Sequence, residues 1–156
     1  MTIEKLVSER DLARKNGQTE RLLVLNDLIG KARAKETAGK KKTELTEQMV
    51  NDTLVEYRKM LKDGIAKAPE GHAVRAKYEA QLAVVMEFCP PVMEDEIQIE
   101  NLITHVLYKY DIPIGRKTKG KMMGKLMPEF RARYVDMDIA MPIIEFMITA
   151  AEAAEG

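Results

Sequence analysis

Residues 71–110 read GHAVRAKYEAQLAVVMEFCPPVMEDEIQIENLITHVLYKY, two amphipathic patterns separated by a break that a helix does not cross. Before the break, Val74, Tyr78, Leu82, Val85 and Met86 recur at helical spacing, with Arg75, Lys77, Glu79 and Glu87 on the opposite side. That spacing predicts a helix near 71–88. Cys89-Pro90-Pro91 ends it, because proline lacks an amide donor and biases the residue before it toward extended geometry. After the break, Glu94, Asp95 and Glu96 load the start of a further helix, where the helix dipole favours acids. Ile99, Leu102, Ile103, Val106 and Tyr110 give its stripe, and Asp111-Ile112-Pro113 stops it. The break therefore divides the chain into an N-terminal helical bundle, 1–90, and a small C-terminal unit of three helices, 91–156.

Working upstream, residues 2–15 form a short helix capped by Thr2, with Ile3, Leu6 and Val7 as a thin stripe that Leu12 extends, and Asn16-Gly17 closes it. Thr19 is the expected cap of a second helix, whose core face is Leu22, Leu25, Ile29 and Ala32, widened by Val24 and Leu28. Residues 38–43, with a glycine and a lysine run, read as a solvated loop. Thr46 caps the third helix, with Met49 or Val50, Thr53 or Leu54, Tyr57 and Leu61 inward, and Asp63-Gly64 followed by 68–71 marks its expected end. Downstream, 119–131 predicts a helix with Met122, Met123, Leu126, Met127 and Phe130 inward and Pro128 as its C-terminal limit or a kink. Asp138 is the expected cap of the last helix, Ile139, Ile143, Phe146, Met147 and Ala150 its inner face, and Pro142 a residue near its first turn. The tail AAEAAEG is expected to fray.

Composition agrees with this all-α reading. In 156 residues, 46% are hydrophobic and 32% charged, aromatics reach only 5%, and tryptophan is absent. Few turn-formers and few strand-favouring aromatics argue against an all-β fold. Lysine plus arginine balance aspartate plus glutamate at 25 each, so bulk charge gives no argument for a polyanion partner and only local clusters can. The single Cys89 has no disulfide partner within the chain, which suits a reducing, cytoplasmic setting. No apolar run approaches the roughly 20 residues of a membrane span, and the acids in MTIEKLVSERD do not suit a secretory signal. No membrane partner is expected.

The inventory of reactive groups is thin. His72 and His105 fall in no metal-ligand spacing and read as structural residues; Cys89, beside no neighbouring cation in sequence, reads as a small hydrophobe. No catalytic residue, metal site or cofactor is assigned, and neither phosphate-cradling glycine motif occurs. The methionines fall at spacings that suit core packing. The strongest ligand signal is the basic run from 116 to 133: Arg116, Lys117, Lys119, Lys121, Lys125, Arg131 and Arg133 against Glu129 alone, a local charge of +6 in a neutral chain. Opening a helix, such a run can grip phosphates. It can equally be a solvated face that keeps a methionine-rich helix wet. A second cluster, Lys31, Arg33, Lys35, Lys40, Lys41 and Lys42, also simply complements a helix C-terminus.

Residues 120–136, GKMMGKLMPEFRARYVD, resemble the signature of the YqeY-like proteins, which are similar to the tail domain of the B subunit of the tRNA-dependent amidotransferase, the GatB/YqeY family. Three further segments resemble the same family in order: Arg21-Leu22-Leu23-Val24-Leu25, Thr43-Glu44-Leu45-Thr46-Glu47, and Cys89-Pro90-Pro91-Val92-Met93-Glu94-Asp95-Glu96. Together they span about 20–148 of the chain. The chain departs from the pattern at Ala132–Met137, where both glycines of the family's turn are missing, at Cys89 in place of leucine, and at Lys119 where an acid is common.

The resemblance implies an all-helical protein with a larger N-terminal bundle and a three-helix tail, and a tail that reaches transfer RNA. It also carries the family label of carbon–nitrogen ligase activity with glutamine as amide donor, although the residues themselves offer no catalytic group for an enzyme acting alone. The expected partner is tRNA or another structured RNA, bound by a non-catalytic module of translation or tRNA-dependent amidation. The competing expectation is an accessory that docks on amidotransferase subunits or another translation factor without touching RNA, favoured by zero net charge. The oligomeric state is not legible.

Overall fold

The computed structural model describes residues 1–156 as seven helices and no strand. It falls into two compact units, Met1–Pro90 and Pro91–Gly156.

The first unit holds α1 (Ile3–Lys15), α2 (Thr19–Ala34), α3 (Glu47–Lys67) and α4 (Ala73–Met86). Its core is built from Leu6 and Ala13 of α1, Val24, Leu25, Leu28 and Ile29 of α2, Val50, Leu54, Tyr57 and Leu61 of α3, and Val85 of α4. Thr2 and Thr46 cap α1 and α3, each side-chain oxygen accepting an amide of the first turn. Thr19 does not cap α2. It is the first helical residue, and Gln18 holds the cap position with no side-chain bond. The turn before it explains why: the Gln18 amide donates to the Ala13 carbonyl and the Gly17 amide to Arg14, with Gly17 at φ +65°, so the α1 C-terminal motif already sets the geometry.

α3 runs through Asp63-Gly64 to Lys67 and stops at Ala68, so of the two expected stop signals it is the one at 68–71 that ends it. A Cβ at Gly64 would lie 2.9 Å from Cε2 of Tyr78, so the glycine serves close approach of α4 rather than a turn. Leu12, Val74 and Met86, read as apolar-face residues, are exposed, and Ala13 is the residue buried in place of Leu12. Arg21 ties three helices together. It pairs with Glu9 of α1 at 3.2 Å and with Glu87 beyond α4, and its guanidinium lies 5.4 Å from the centre of the Phe88 ring.

The second unit holds α5 (Glu96–Lys109), α6 (Lys119–Ala132) and α7 (Met137–Glu155) around Ile99, Leu102, Ile103, Val106 and Leu107 of α5, Met122, Leu126 and Phe130 of α6, and Ala140, Ile144 and Ile148 of α7. Asp95 caps α5 by accepting the Gln98 amide. α6 continues four residues past Pro128, and α7 is capped by Asp136, whose Oδ1 accepts the Asp138 amide at 2.9 Å, so Asp138 lies inside the first turn and Pro142 beyond it. The inner face of α7 is displaced by one residue from the expected one: Ile139, Ile143 and Met147 are half-buried, Phe146 and Ala150 exposed. The tail stays helical to Glu155. Met93 and Val135 form a single parallel bridge, the Met93 amide donating to Tyr134 and the Asp136 amide to Met93. No helix is long and apolar enough to cross a membrane.

Candidate nucleic-acid interface

The connector from α5 to α6 is folded by its own hydrogen bonds. Ile112 donates its amide to Leu107 and Asp111 to Tyr108, with Asp111 at φ +52°, which turns the chain sharply at the end of α5. Thr118 then directs its hydroxyl to the Pro113 and Gly115 carbonyls, at 2.5 and 3.1 Å, and makes no side-chain cap to α6. This loop delivers the first basic residues beside α7.

Along α6, Met122, Leu126 and Phe130 face the core, so by a rotation of about 100° per residue Lys121 and Lys125 stand one turn apart on one flank of the helix. Both are exposed, as are Arg116, Lys117, Arg131 and Arg133, whereas Lys119 is half-buried. The run divides by its partners. Arg116 Nη1 donates to Glu145 Oε2 at 2.8 Å, Lys119 pairs with the other oxygen of the same carboxylate, and the Arg116 amide donates to Glu152 at 3.0 Å. Hydrogen bonds from Lys119 and Arg116 hold the Glu145 carboxyl below its usual range. Arg133 makes a weak pair with Glu129 at 3.5 Å. The connector end of the run is thus partly neutralised by α7, while Lys117, Lys121 and Arg131 meet no carboxylate.

Sequence reasoning missed one component. Spacing puts Tyr110 on the α5 core stripe, yet it is 42% exposed, and its ring lies 4.6 Å from Lys125 Nζ and 5.3 Å from Lys109 Nζ. An aromatic ring within about 6 Å of two ammonium groups is a cation–π cluster. Tyr108, on the same terminal turn, is the most exposed large apolar side chain at 87%. The run Tyr108-Lys109-Tyr110 could have signalled the exposure of these rings, though not the approach of Lys125, because a tyrosine at the end of a helix is free to leave the core.

The remaining candidates have structural places. His72 caps α4, its Nδ1 accepting the Val74 amide at 3.2 Å, and His105 is exposed on α5. Cys89 is half-buried; burial pushes its thiol up, partly opposed by the Arg58 charge. No three or more histidine, cysteine, aspartate or glutamate side chains are grouped as a metal shell requires. In the second basic cluster, Lys35 pairs with Glu56 at 2.9 Å, and Lys31 lies 5.9 Å from the Tyr57 ring centre. Neither a family model nor a curated protein matches this chain.

Proposed function

We propose that the chain is similar to the GatB/YqeY tail domain and binds transfer RNA or another structured RNA as a non-catalytic cytoplasmic module of translation or tRNA-dependent amidation. The observation that carries this reading is the cluster of Tyr110 with Lys109 and Lys125, continued by Lys121 one turn away. RNA loops offer unstacked bases to aromatic rings and phosphates to ammonium groups, and this surface presents both. Lys117, Arg131 and Arg133 extend the positive field, whereas Arg116 and Lys119 contribute less because Glu145 answers them. Amidotransferase subunits are the natural protein neighbours of such a module.

The test is a mobility-shift titration of the full chain with bulk transfer RNA at several salt concentrations. Tyr110→Leu is expected to weaken binding with little change in salt dependence, and Lys121→Ala with Lys125→Ala to flatten the salt slope by about 0.7–0.9 for each phosphate that is no longer neutralised. Affinity unchanged in both variants removes this surface from the reading. A pull-down that recovers translation proteins and no RNA favours the accessory alternative.

A further inference from the structure

Seven of the eight basic side chains of the C-terminal unit lie between 116 and 133, and Glu129, Glu145 and Glu152 are the acids that meet that run. Apart from it, a groove of about 410 Å³ runs between α5 and α7, lined by Glu96, Glu100, Asp138, Ile139, Pro142, Ile143 and Phe146.

The floor of that groove is a second apolar stripe on α7. Ala140, Ile144 and Ile148 already bury one face of the helix in the core, yet Ile139, Pro142, Ile143 and Phe146 repeat at three- and four-residue steps on another. Phe146 is 75% exposed, and Ile97, next to Glu96 on α5, is 70% exposed. Ile139 and Ile143 are half-buried against the core while Pro142 and Phe146 stand exposed, and an apolar stripe left partly bare is built to be covered. The wall facing the stripe fixes the charge of what covers it: every charged group lining the groove is a carboxylate, and no cation pairs with Glu96 or Glu100. Phosphates, anionic lipid headgroups and acidic peptides are repelled by such a wall, and ammonium or guanidinium groups are drawn to it.

From this geometry we infer that the α5–α7 groove docks a basic amphipathic helix of a partner protein, its aliphatic side chains on the Ile139–Phe146 stripe and its lysines or arginines against Glu96 and Glu100. The stripe is about 10 Å long, two helical turns, so anchors at i, i+3 or i+4, and i+7 fill it. The inference is independent of the RNA reading, since the residues of the two surfaces do not overlap.

The probe is a fluorescent helix-forming peptide of about four turns, made of leucine and lysine with the leucines on one face. Titrated against the full chain by fluorescence anisotropy, it is expected to bind, to shift the amide signals of Glu96, Glu100 and 139–146, and to weaken as salt is raised. Charge reversal in Glu96→Lys with Glu100→Lys is expected to weaken binding by about tenfold or more, and Phe146→Ser comparably. Both substitutions are at exposed positions, and circular dichroism checks that the variants remain folded. The variant Lys121→Ala with Lys125→Ala is expected to leave peptide affinity unchanged, which separates failure here from failure of the RNA reading. Equal affinity for a leucine–glutamate peptide or a scrambled one, amide shifts elsewhere, or indifference to charge reversal overturns the proposal. So does sedimentation showing that the groove is occupied by a second copy of the chain, with self-association abolished by Phe146→Ser.

Discussion

Arg116 donates to Glu145 at 2.8 Å, joining the start of the basic run to the middle of α7. Lys119 reaches the other oxygen of that carboxylate, so one acid of a neighbouring helix answers two of the seven cations. The same carboxylate anchors the connector, which otherwise touches α7 through the Arg116 amide on Glu152. Local charge read along the chain therefore overstates what the surface offers a polyanion, and Glu145 sets the difference.

Removing that carboxylate has a defined outcome. Glu145→Gln is expected to tighten RNA binding several-fold and to steepen its salt slope by about 0.7–0.9 for each cation that becomes available to a phosphate. Mobility-shift titrations of wild type and variant at matched salt concentrations check it. Weaker binding in the variant would mean that Glu145 orders the connector for RNA rather than competing with it.

Protonation of Glu145 acts in the same place. Its folded pKa is depressed by Lys119 and Arg116, so its contribution is fully present above the ordinary value of 4.5 and is lost as pH falls through the lower folded one. Carbon-detected NMR titration is expected to show Glu145 protonating at lower pH in the wild type than in Lys119→Ala with Arg116→Ala. Identical Glu145 midpoints in the two proteins would contradict the pairing.

Three helices end in the same way. At α1, α5 and α6 the residue after the C-cap has positive φ, and its neighbour donates back to the third-last helical carbonyl: Gln18 to Ala13, Ile112 to Leu107, Val135 to Phe130. Only the first has glycine at the left-handed position; the others use Asp111 at +52° and Tyr134 at +50°. Asp111→Gly is expected to raise stability by about 0.5–1 kcal/mol, through relief of left-handed strain and removal of an acid from the α5 C-terminus. Gly17→Ala is expected to cost about 1 kcal/mol. Urea denaturation followed by circular dichroism measures both.

These turns also show what the sequence made legible. Asn16-Gly17 announces its turn because only glycine adopts that geometry without strain, whereas Asp111 and Tyr134 carry no such signature. The all-helical class and most of the buried stripes were readable from spacing alone, since Leu25, Ile29, Val50, Leu61, Ile99 and Phe130 recur where a core face demands. α7 misled because it is apolar on two faces, and periodicity does not say which is covered; Phe146 therefore read as core. The Tyr110–Lys125 cluster and the Glu145 pairs join residues far apart in the sequence, and only the packing of α5, α6, α7 and their connector brings them together.

Tyr57 links α3 to α2 and gives an alkaline signature. Its hydroxyl donates to Asp27 at 2.7 Å, and burial first, then that bond, raise its pKa well above the ordinary 10.0. A raised acid leaves stability intact below the unfolded value and erodes it as pH climbs from about 10 toward the folded one. Tyr57 is expected to ionise above the ordinary tyrosine range in an ultraviolet titration. Tyr57→Phe is expected to cost about 1 kcal/mol at neutral pH and to lessen the alkaline loss. Equal alkaline sensitivity in both proteins would remove Tyr57 as its source.

Two mid-helix glycines should respond to alanine in opposite directions. Gly124, on α6, has nothing within 4 Å of an added Cβ, so Gly124→Ala is expected to stabilise by about 0.5–1 kcal/mol through helix propensity alone. Gly64, on α3, meets Tyr78 at 2.9 and 3.1 Å, and a rigid ring has to move as a whole to make room. The overpacking cost of about 1–3 kcal/mol then exceeds the propensity gain, and Gly64→Ala is expected to be net destabilising. In a Tyr78→Ala background the clash disappears, so the same substitution becomes neutral or favourable, and the double-mutant cycle reads the difference as a coupling between the two sites. Additive effects in that cycle would show that the close approach of α4 does not depend on the glycine.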